Sequence, residues 1–262
     1  MIDKNIEIVF NGQIADGMYL MGLNAPEIVV DARPGQFVMI RVGPVKDPLL
    51  RRPFSIGGII QGEILLILYK VVGRGTALMS AAAKGDRMTV LGPLGRGFSQ
   101  PRPGRIPILA AGGIGIAPLV FLAQNLAESN LIFLAGYRCA AEIVPFEKVG
   151  LKGANVEIAT DDGSAGFHGF VTDLLKERMH LEPEILPELY ACGPVAMLKK
   201  VAALAIEEDT SCQMSLEANM ACGLGACQGC ALKSSYQDKL SYYLVCRDGP
   251  IFPARSIDWE AL

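Results

Sequence analysis

The sequence predicts a multi-domain fold with three parts in series: an antiparallel β-barrel, an α/β domain built on a parallel sheet, and a small C-terminal segment. Short alternating apolar runs separated by Gly, Pro, Asn and Asp predict the barrel. Strands that alternate with helices predict the parallel sheet, and closely spaced cysteines mark the last segment. The chain of 262 residues is long enough for about two domains. We expect the three parts to span residues 1–100, 101–210 and 211–262.

The composition excludes some classes of function. The net charge is -3, with 24 basic and 27 acidic residues well mixed, so nothing favours nucleic acid or an anionic membrane as a partner. Residues 106–127 carry no charge, but interrupting glycines and prolines favour a strand, a turn and a helix over a membrane span. The first residues lack the features of a signal peptide, and seven cysteines then predict a reducing compartment, the cytoplasm.

The predicted barrel strands cover residues 6–10, 18–23, 27–30, 37–42, 64–70 and 87–91, and the first helical pattern covers 76–83. One stretch of this part, Arg51-Arg52-Pro53-Phe54-Ser55, combines guanidinium groups, an aromatic ring and a hydroxyl. Arginine can bind a pyrophosphate bidentately, a serine can reach a ring edge, and a phenyl ring offers a stacking face. A salt bridge at a strand end is the simpler alternative.

A second stretch of the barrel joins a strand to a helix through glycines. The strand residues are Leu68, Tyr69, Lys70 and Val71, and the turn contains Gly75 and the helix-capping Thr76. Free N–H groups at the start of a helix bind phosphate, although an ordinary capped turn would look the same. Because both stretches belong to one predicted barrel, together they favour a ligand that carries a pyrophosphate and a ring.

After a linker at 101–107 the pattern becomes that of a parallel sheet. We expect strands at 108–111, 131–137, 156–160 and 189–192, and helices that end near Glu128, end near Met179, and span 196–207. The turn after the first strand contains Gly112, Gly113 and Gly115, and this G-x-G-x-x-P pattern lets backbone approach a pyrophosphate. Tight packing of strand on helix explains the glycines equally well. No basic cluster suits a 2′-phosphate, so NAD is favoured over NADP.

Four cysteines follow the pattern C-x4-C-x2-C-x15-C; they are Cys222, Cys227, Cys230 and Cys246. This is the spacing of plant-type ferredoxins, so the residues predict a [2Fe–2S] cluster; a zinc site and disulfides are the alternatives. Gly223, Gly225 and Gly229 suit a loop that needs positive φ and N–H groups directed at sulfur. A hairpin at 234–244 would deliver the fourth cysteine. Met220 and Leu224 either pack inside or face a partner.

The two barrel stretches resemble the ferredoxin-reductase superfamily of flavoproteins, in which an R-x-[YF]-S strand and a later glycine–threonine turn hold FAD. The resemblance implies that FAD is bound by Arg52, Pro53, Phe54, Ser55, Leu68, Tyr69, Lys70, Val71, Gly75 and Thr76. Phe54 replaces the tyrosine of many members and loses its phenolic hydrogen bond. The superfamily's nicotinamide domain has a G-G-x-G-x-x-P turn and a late C-G-P turn. They are matched by Gly112, Gly113 and Gly115 and by Cys192, Gly193 and Pro194. A small buried residue at a strand end is the alternative for Cys192.

The whole chain, and most specifically Glu217 to Cys230 with Cys246-Arg-Asp-Gly-Pro behind it, resembles the electron-transfer subunits of NAD-linked (class 1B) dihydroorotate dehydrogenases. In that family the four cysteines ligate the [2Fe–2S] cluster, and a separate FMN-containing catalytic subunit oxidises dihydroorotate in pyrimidine biosynthesis. The resemblance implies a heterotetramer with two copies of each subunit. It also implies electron flow from FMN through the cluster and FAD to NAD⁺, with no side chain acting as a catalytic acid or base.

Two other functions stay open at this point. The chain could be the small subunit of a ferredoxin:NADP or sulfide-linked oxidoreductase, although such subunits tend to replace one cysteine ligand with a carboxylate. A zinc-stabilised scaffold without enzymatic activity would use the same four cysteines.

Overall fold

The structure is a computed structural model that describes residues 1–43, 47–126, 130–151, 155–181, 186–236 and 242–262. Its first half contains seven strands and two short helices among these residues. The strands are β1 (Ile2–Ala15), β2 (Met18–Asn24), β3 (Phe37–Arg41), β4 (Arg52–Ser55), β5 (Gly58–Ile60), β6 (Ile64–Lys70) and β7 (Arg87–Leu94), and the helices are α1 (Pro26–Val29) and α2 (Arg74–Ser80).

The seven strands form one antiparallel sheet in the order β4-β3-β7-β1-β2-β6-β5. Its two edge strands, β4 and β5, are joined by only Ile56 and Gly57. Ile56 N–H donates to Gln36 O at one edge, and Gly57 N–H donates to Leu66 O at the other. The sheet must therefore curl until its edges meet, which makes it a barrel.

Alternating side chains fill the interior of the barrel. Val38 and Ile40 on β3 are buried in the same cluster as Leu65, Ile67 and Tyr69 on β6, as the period of two along a strand requires. The predicted strand at 27–30 is wrong, because this stretch is the helix α1. Its first residue is Pro26, which suits the first turn of a helix, and the adjacent Ile28 and Val29 are both buried, which alternation would not allow.

The second half is built on a mixed sheet. The described strands of this half are β8 (Ile106–Gly112), β9 (Ile132–Tyr137), β10 (Val156–Thr160), β11 (Phe167–His168), β12 (Pro187–Cys192), β13 (Cys212–Ser215), β14 (Ala231–Lys233), β15 (Tyr242–Leu244) and β16 (Ile251–Pro253). Its described helices are α3 (Ile116–Asn125), α4 (Val171–Leu181), α5 (Val195–Glu207) and α6 (Val245–Asp248). The described part of the large sheet has the order β11-β10-β9-β8-β12-β13-β16. All its pairs are parallel except β13 with β16.

Helices cover both faces of this sheet. Along β8, Leu109 and Ala111 pack with α3, whereas Ile108 and Ala110 belong to the core shared with α4 and α5. A sheet that is buried on both faces is what the continuous apolar strands predict. The predicted end of the first helix at Glu128 lies outside the described residues. No helix in the described ranges combines the length and apolarity that crossing a bilayer takes.

The cysteine segment, residues 216–250, leaves the large sheet at the end of β13 and returns to it at β16. β14 and β15 pair as a small antiparallel ladder, and residues 237–241 of the predicted hairpin lie outside the described part. The segment shares one apolar core with the sheet and with Phe37, Met39 and Leu94 of the barrel. Two strands of the predicted third part, β13 and β16, therefore belong to the second sheet; the domain boundaries themselves stay a prediction.

Candidate functional site

The four predicted cysteine ligands lie together as two close pairs. Cys230 Sγ and Cys246 Sγ are 3.3 Å apart, and the Cys227 thiol is within hydrogen-bonding reach of Cys222 Sγ. Cys230 and Cys246 are buried, whereas Cys227 is exposed. Cys246 is part of α6, and Cys230 immediately precedes β14. Two hydrogen bonds fix this buried pair, because Cys246 N–H donates to Cys230 Sγ and Val245 N–H donates to Cys230 O.

Backbone N–H groups are directed at the sulfurs. Leu224 N–H donates to Cys222 Sγ at 3.3 Å, and Gly225 N–H donates to Cys246 Sγ at 3.1 Å. Desolvation opposes ionisation of Cys222, but the N–H groups of Leu224, Cys227 and Ala226 and the Cys227 thiol outweigh it and lower its pKa to about 6. Desolvation and the neighbouring Cys230 raise the pKa of Cys246 to about 12.

The loop between the cysteines has the backbone that a wrapped site needs. Gly223 and Gly225 have φ of 73° and 79°, as predicted, but Gly229 does not have positive φ; Gln228 takes that conformation instead, with φ of 57°. Leu224 projects from the loop and is 48% exposed, whereas Met220 packs against the core. Of these two residues, Leu224 therefore lies at the surface and Met220 is partly buried.

This arrangement suits two metal ions better than one. Two pairs of thiols provide two ligands for each iron of a [2Fe–2S] cluster. A structural zinc ion needs four ligands around one point, whereas the close contacts here join the sulfurs two by two. The residues present therefore fit the two-iron cluster.

A cavity of about 440 Å³, which we call the ring cavity, lies between the barrel and the start of the cysteine segment. Its lining includes Pro53 and Ser55 from β4, residues 215–220, and Pro250. Phe54 points to the other side of the strand, where its ring meets Tyr69 edge-on at 6.1 Å between centroids. The stacking role predicted for Phe54 stays a prediction, because the described cavity lies on the opposite face of β4.

Arg52 reaches the start of α2, which joins the two barrel stretches that the sequence predicted to act together. A Cβ on Gly75 would lie 2.9 Å from Arg52 Nε, so a larger residue at this position would require the Arg52 side chain to move. Thr76 Oγ1 accepts from Val72 N–H at 2.9 Å and from Gly73 N–H at 3.2 Å, which caps the turn. Arg51, in contrast, pairs with Asp3 at 2.9 Å, as the salt-bridge alternative held.

The other predicted barrel residues support this cradle. Leu68 and Tyr69 are buried, and Tyr69 Oη donates to Asn11 Oδ1 at 2.9 Å, while Asn11 Nδ2 donates to carbonyl groups at the end of α2. Burial raises the pKa of Tyr69 to about 12. Val71 continues the strand by donating its N–H to Gly17 O. Lys70 leaves the barrel and enters the next cavity.

A cavity of about 510 Å³, which we call the nucleotide cavity, lies at the carboxyl ends of β8, β9, β10 and β12. Ligands bind at this edge in open α/β sheets. Of the predicted residues, Lys70, Gly112, Gly113, Gly115, Gly193 and Pro194 line it. Gly115 also packs so tightly on the backbone of Cys192 that a side chain would clash, so packing explains this glycine as well. Cys192 is fully buried, and desolvation raises its pKa well above the usual range.

Sequence reasoning missed two acidic residues that the structure brings to these cavities. Glu217 lines both the ring cavity and the nucleotide cavity, where it is exposed to the cleft although desolvation by surrounding protein raises its pKa. Glu142 lines the nucleotide cavity in a short helical turn, 140–142. The only sequence signal was position, because each follows the end of a sheet strand within five residues.

Comparison with known proteins bears on the whole chain. A family model described as the iron–sulfur cluster binding domain of dihydroorotate dehydrogenase B matches residues 217–258, which include all four cysteines. A relative from Desulforamulus reducens, a dihydroorotate dehydrogenase B (NAD(+)) electron transfer subunit, is 43% identical over 256 residues. The alignment covers 94% of this chain and 95% of the relative. The chain belongs to the dihydroorotate dehydrogenase B electron-transfer subunit family.

Further comparisons agree with this family. Another electron transfer subunit of dihydroorotate dehydrogenase B, from Bacillus velezensis, is 35% identical over 262 residues, which cover 98% of this chain and 99% of the relative. The structure of an NADH-dependent reduced ferredoxin-NADP oxidoreductase superposes with a TM-score of 0.84 at 28% identity, over 97% of this chain and 90% of that one. A ferredoxin NADP+ reductase from Neisseria gonorrhoeae, with 16% identity, a TM-score of 0.66 and coverage of 78% and 91%, shares the fold. The predicted resemblance and fold class are confirmed.

Proposed function

We propose that this chain is the reductase half of a dihydroorotate dehydrogenase, which connects an FMN-containing catalytic subunit to NAD⁺ through a [2Fe–2S] cluster and FAD. The relatives named electron transfer subunits support the role and imply a catalytic partner. We further propose a cytoplasmic complex with two copies of each subunit. When bound, the flavin links the one-electron chemistry of the cluster to the two-electron chemistry of the nicotinamide.

The observation that carries this proposal is the short path from the cysteines to the ring cavity. Asn219 and Met220 line that cavity, and Cys222 follows two residues later. Cys230 and Cys246 are in the same apolar core as Phe37, which lines the ring cavity as well. Since electrons pass only between centres that are close, such a layout suits a cluster placed next to an isoalloxazine ring.

The chain's own residues bind and orient in this proposal. Arg52 and the capped turn at Thr76 would bind the pyrophosphate of FAD, and the Ser55 hydroxyl would meet the ring edge in the ring cavity. Gly112, Gly113 and Gly115 would let the backbone approach the pyrophosphate of NAD. Glu217 would lie where the two ligands meet, because it lines both cavities.

An assay with the partner tests the proposal. The cluster- and FAD-loaded chain, mixed with a dihydroorotate-oxidising FMN subunit, should oxidise NADH in an orotate-dependent reaction that neither protein catalyses alone. Orotate-independent NADH oxidation with artificial acceptors should persist without the partner. A chain that is loaded with both cofactors but gives no orotate-dependent turnover would contradict the proposal.

The similarity to the NADH-dependent reduced ferredoxin-NADP oxidoreductase structure favours a second candidate, a small subunit of that class. The same preparation should then exchange electrons with a ferredoxin partner in place of the FMN subunit. The complete set of four cysteines and the higher identity to the dihydroorotate dehydrogenase relatives favour the first candidate.

A further inference from the structure

The nucleotide cavity has a balanced set of charges. Three of its described lining residues are cationic and three are acidic; they are Lys70, Arg138 and Lys200, and Glu142, Asp161 and Glu217. Glu142 differs from the other acids because it is only 3% exposed. A carboxylate this deep in a cavity wall needs partners of opposite charge, and its partners determine which cations stay available to a ligand.

Glu142 binds two of the three cations. Arg138 Nε donates to Glu142 Oε1 at 2.9 Å, with a second contact from Arg138 Nη2, and Lys70 Nζ donates to the same oxygen at 2.9 Å. The two cations come from different parts of the molecule, because Lys70 ends β6 of the barrel and Arg138 follows β9 of the large sheet. The hydrogen bonds of Arg138 and Lys70 outweigh desolvation and lower the pKa of Glu142 to about 2, so the carboxylate is ionised at neutral pH.

The two ends of the cavity can be told apart. Glu217 adjoins the ring cavity beyond β13, so this end would take the nicotinamide. The glycine turn after β8 would take the pyrophosphate. In the sheet order, β9 and β10 lie on the other side of β8, so Arg138 and Asp161 at their carboxyl ends lie at the adenosine end. Lys200 extends from α5, and its Nζ lies 4.7 Å from the centre of the Phe170 ring, which follows β11 at the edge of the sheet beyond β10.

We infer that Glu142 determines which dinucleotide this cavity accepts, because it occupies Arg138 and Lys70 and thereby leaves no arginine of the described cavity lining free for a 2′-phosphate. NADP differs from NAD by one phosphate group with a charge of about -1.5 to -2 at neutral pH. Arginine is the side chain best suited to bind such a group bidentately, and Arg138 is the arginine lining the described cavity. Asp161, and Asp16 of the β1–β2 turn near Arg138, add negative charge there. This inference rests on the proposed nucleotide site.

The test compares nucleotide preference in the FAD-loaded full chain. Diaphorase kcat/KM is measured with NADH and with NADPH for the wild type and for Glu142→Gln, which releases Arg138 and Lys70. The ratio of NADPH to NADH efficiency should rise by about tenfold or more, since a charged hydrogen bond to phosphate is gained. Adding Arg138→Leu to the same variant should remove the gain.

Glu188→Gln is the matched control. Glu188 is also 3% exposed and accepts from Arg102, through its backbone N–H at 2.9 Å and its Nε at 3.3 Å, but it lies at the opposite end of the sheet, near the start of β12. This variant removes a buried carboxylate of the same kind away from the cavity. Its NADPH-to-NADH ratio should stay within about twofold of the wild type, because its change is outside the site.

Arg138→Leu alone provides a second test that does not depend on how well Glu142→Gln folds. If Glu142 already occupies Arg138, this variant should leave the NADPH-to-NADH ratio near the wild-type value. A tenfold fall in the ratio would overturn the inference, as would an unchanged ratio in a Glu142→Gln protein with full FAD content. A wild type without any NADH activity would instead refute the proposed nucleotide site, so the two failures are distinguishable.

Discussion

The barrel and the cysteine segment are stabilised in different ways. The barrel has strands of up to 14 residues that close into one sheet around a continuous apolar core. Within its described residues the cysteine segment has two strands of three residues and a helix of four. Its apolar side chains pack in a core that they share with the large sheet and the barrel. We therefore expect burial of apolar surface to be the main source of stability in the first region, and the second region to depend also on what its thiols bind.

The candidate sites therefore differ in how far they are formed before a cofactor binds. Arg52 and Thr76 are fixed by barrel packing and hydrogen bonds alone. Cys222 and Cys227 lie on a loop of turns, and Cys227 is exposed. Removal of the cluster should consequently loosen the segment and leave the barrel and its FAD site intact.

The largest expected effect comes from Cys227→Ser, which removes the exposed thiol of the four. The cluster should be lost, and orotate-dependent turnover with the partner should fall by at least about 100-fold. Bound FAD and NADH oxidation with artificial acceptors should remain. Iron and acid-labile sulfide content, the FAD-to-protein ratio and the two activities are the measurements.

Cys139→Ser is the control for this change, because Cys139 is half-buried and lies outside the quartet. It should keep both iron and turnover. Loss of FAD together with the cluster in Cys227→Ser would contradict this expectation, because FAD binding by the barrel would then depend on the cysteine segment.

An intermediate effect is expected at the barrel site. Arg52→Gln removes the guanidinium from the α2 turn and should weaken FAD binding by about 1.5–3 kcal/mol, roughly 10- to 150-fold, while iron content stays unchanged. Fluorescence titration of the apoprotein with FAD measures the affinity. Arg51→Gln breaks only the pair with Asp3, which is half exposed, and should cost less than about 1 kcal/mol of stability with no change in FAD affinity. Equal losses of affinity in both variants would refute the assigned role of Arg52.

The smallest expected effect concerns the barrel alone. In the turn between β5 and β6, Gln61 and Gly62 both have positive φ, at 51° and 69°, and Glu63 N–H donates to Ile60 O. Asparagine adopts this conformation more readily than glutamine, so Gln61→Asn should raise the free energy of unfolding by about 0.5 kcal/mol. Denaturant unfolding, monitored through the release of FAD, should detect this gain, and iron content should not change. A loss of stability would contradict the prediction.

Most of the fold could be predicted because alternation and glycine turns are local signals. The strand at 156–160 has the bounds expected from its apolar run, and the turn from β8 into α3 follows its glycines. The prediction failed at 27–30, where a proline and two adjacent buried side chains form α1. It also missed that β16 joins the large sheet, because a three-residue strand at the chain's end has too little pattern to indicate its partner.

The candidate site could be predicted only in part. The cysteine spacing is set by the cluster itself, so four ligands can be read from the sequence. Glu142 and Glu217 could not, because their surroundings are assembled from distant segments: Glu142 meets Lys70 across 72 positions of the chain. Backbone conformation was also hard to predict at this loop. Gln228 has the positive φ that was expected at Gly229, and residue type alone does not indicate that a glutamine will adopt it.

The return of the chain beside its own point of departure has a structural consequence. Ser215 pairs directly with Ile251, so residues 216–250 leave the sheet and return to it at two paired positions of β13 and β16. The length of this segment can therefore vary without changing the register of β13 and β16, as long as its apolar residues still complete the core that they share with the sheet and the barrel. Replacing residues 216–250 with a short turn would keep β13 next to β16, but it would also remove the wall of the ring cavity that residues 216–220 and Pro250 form.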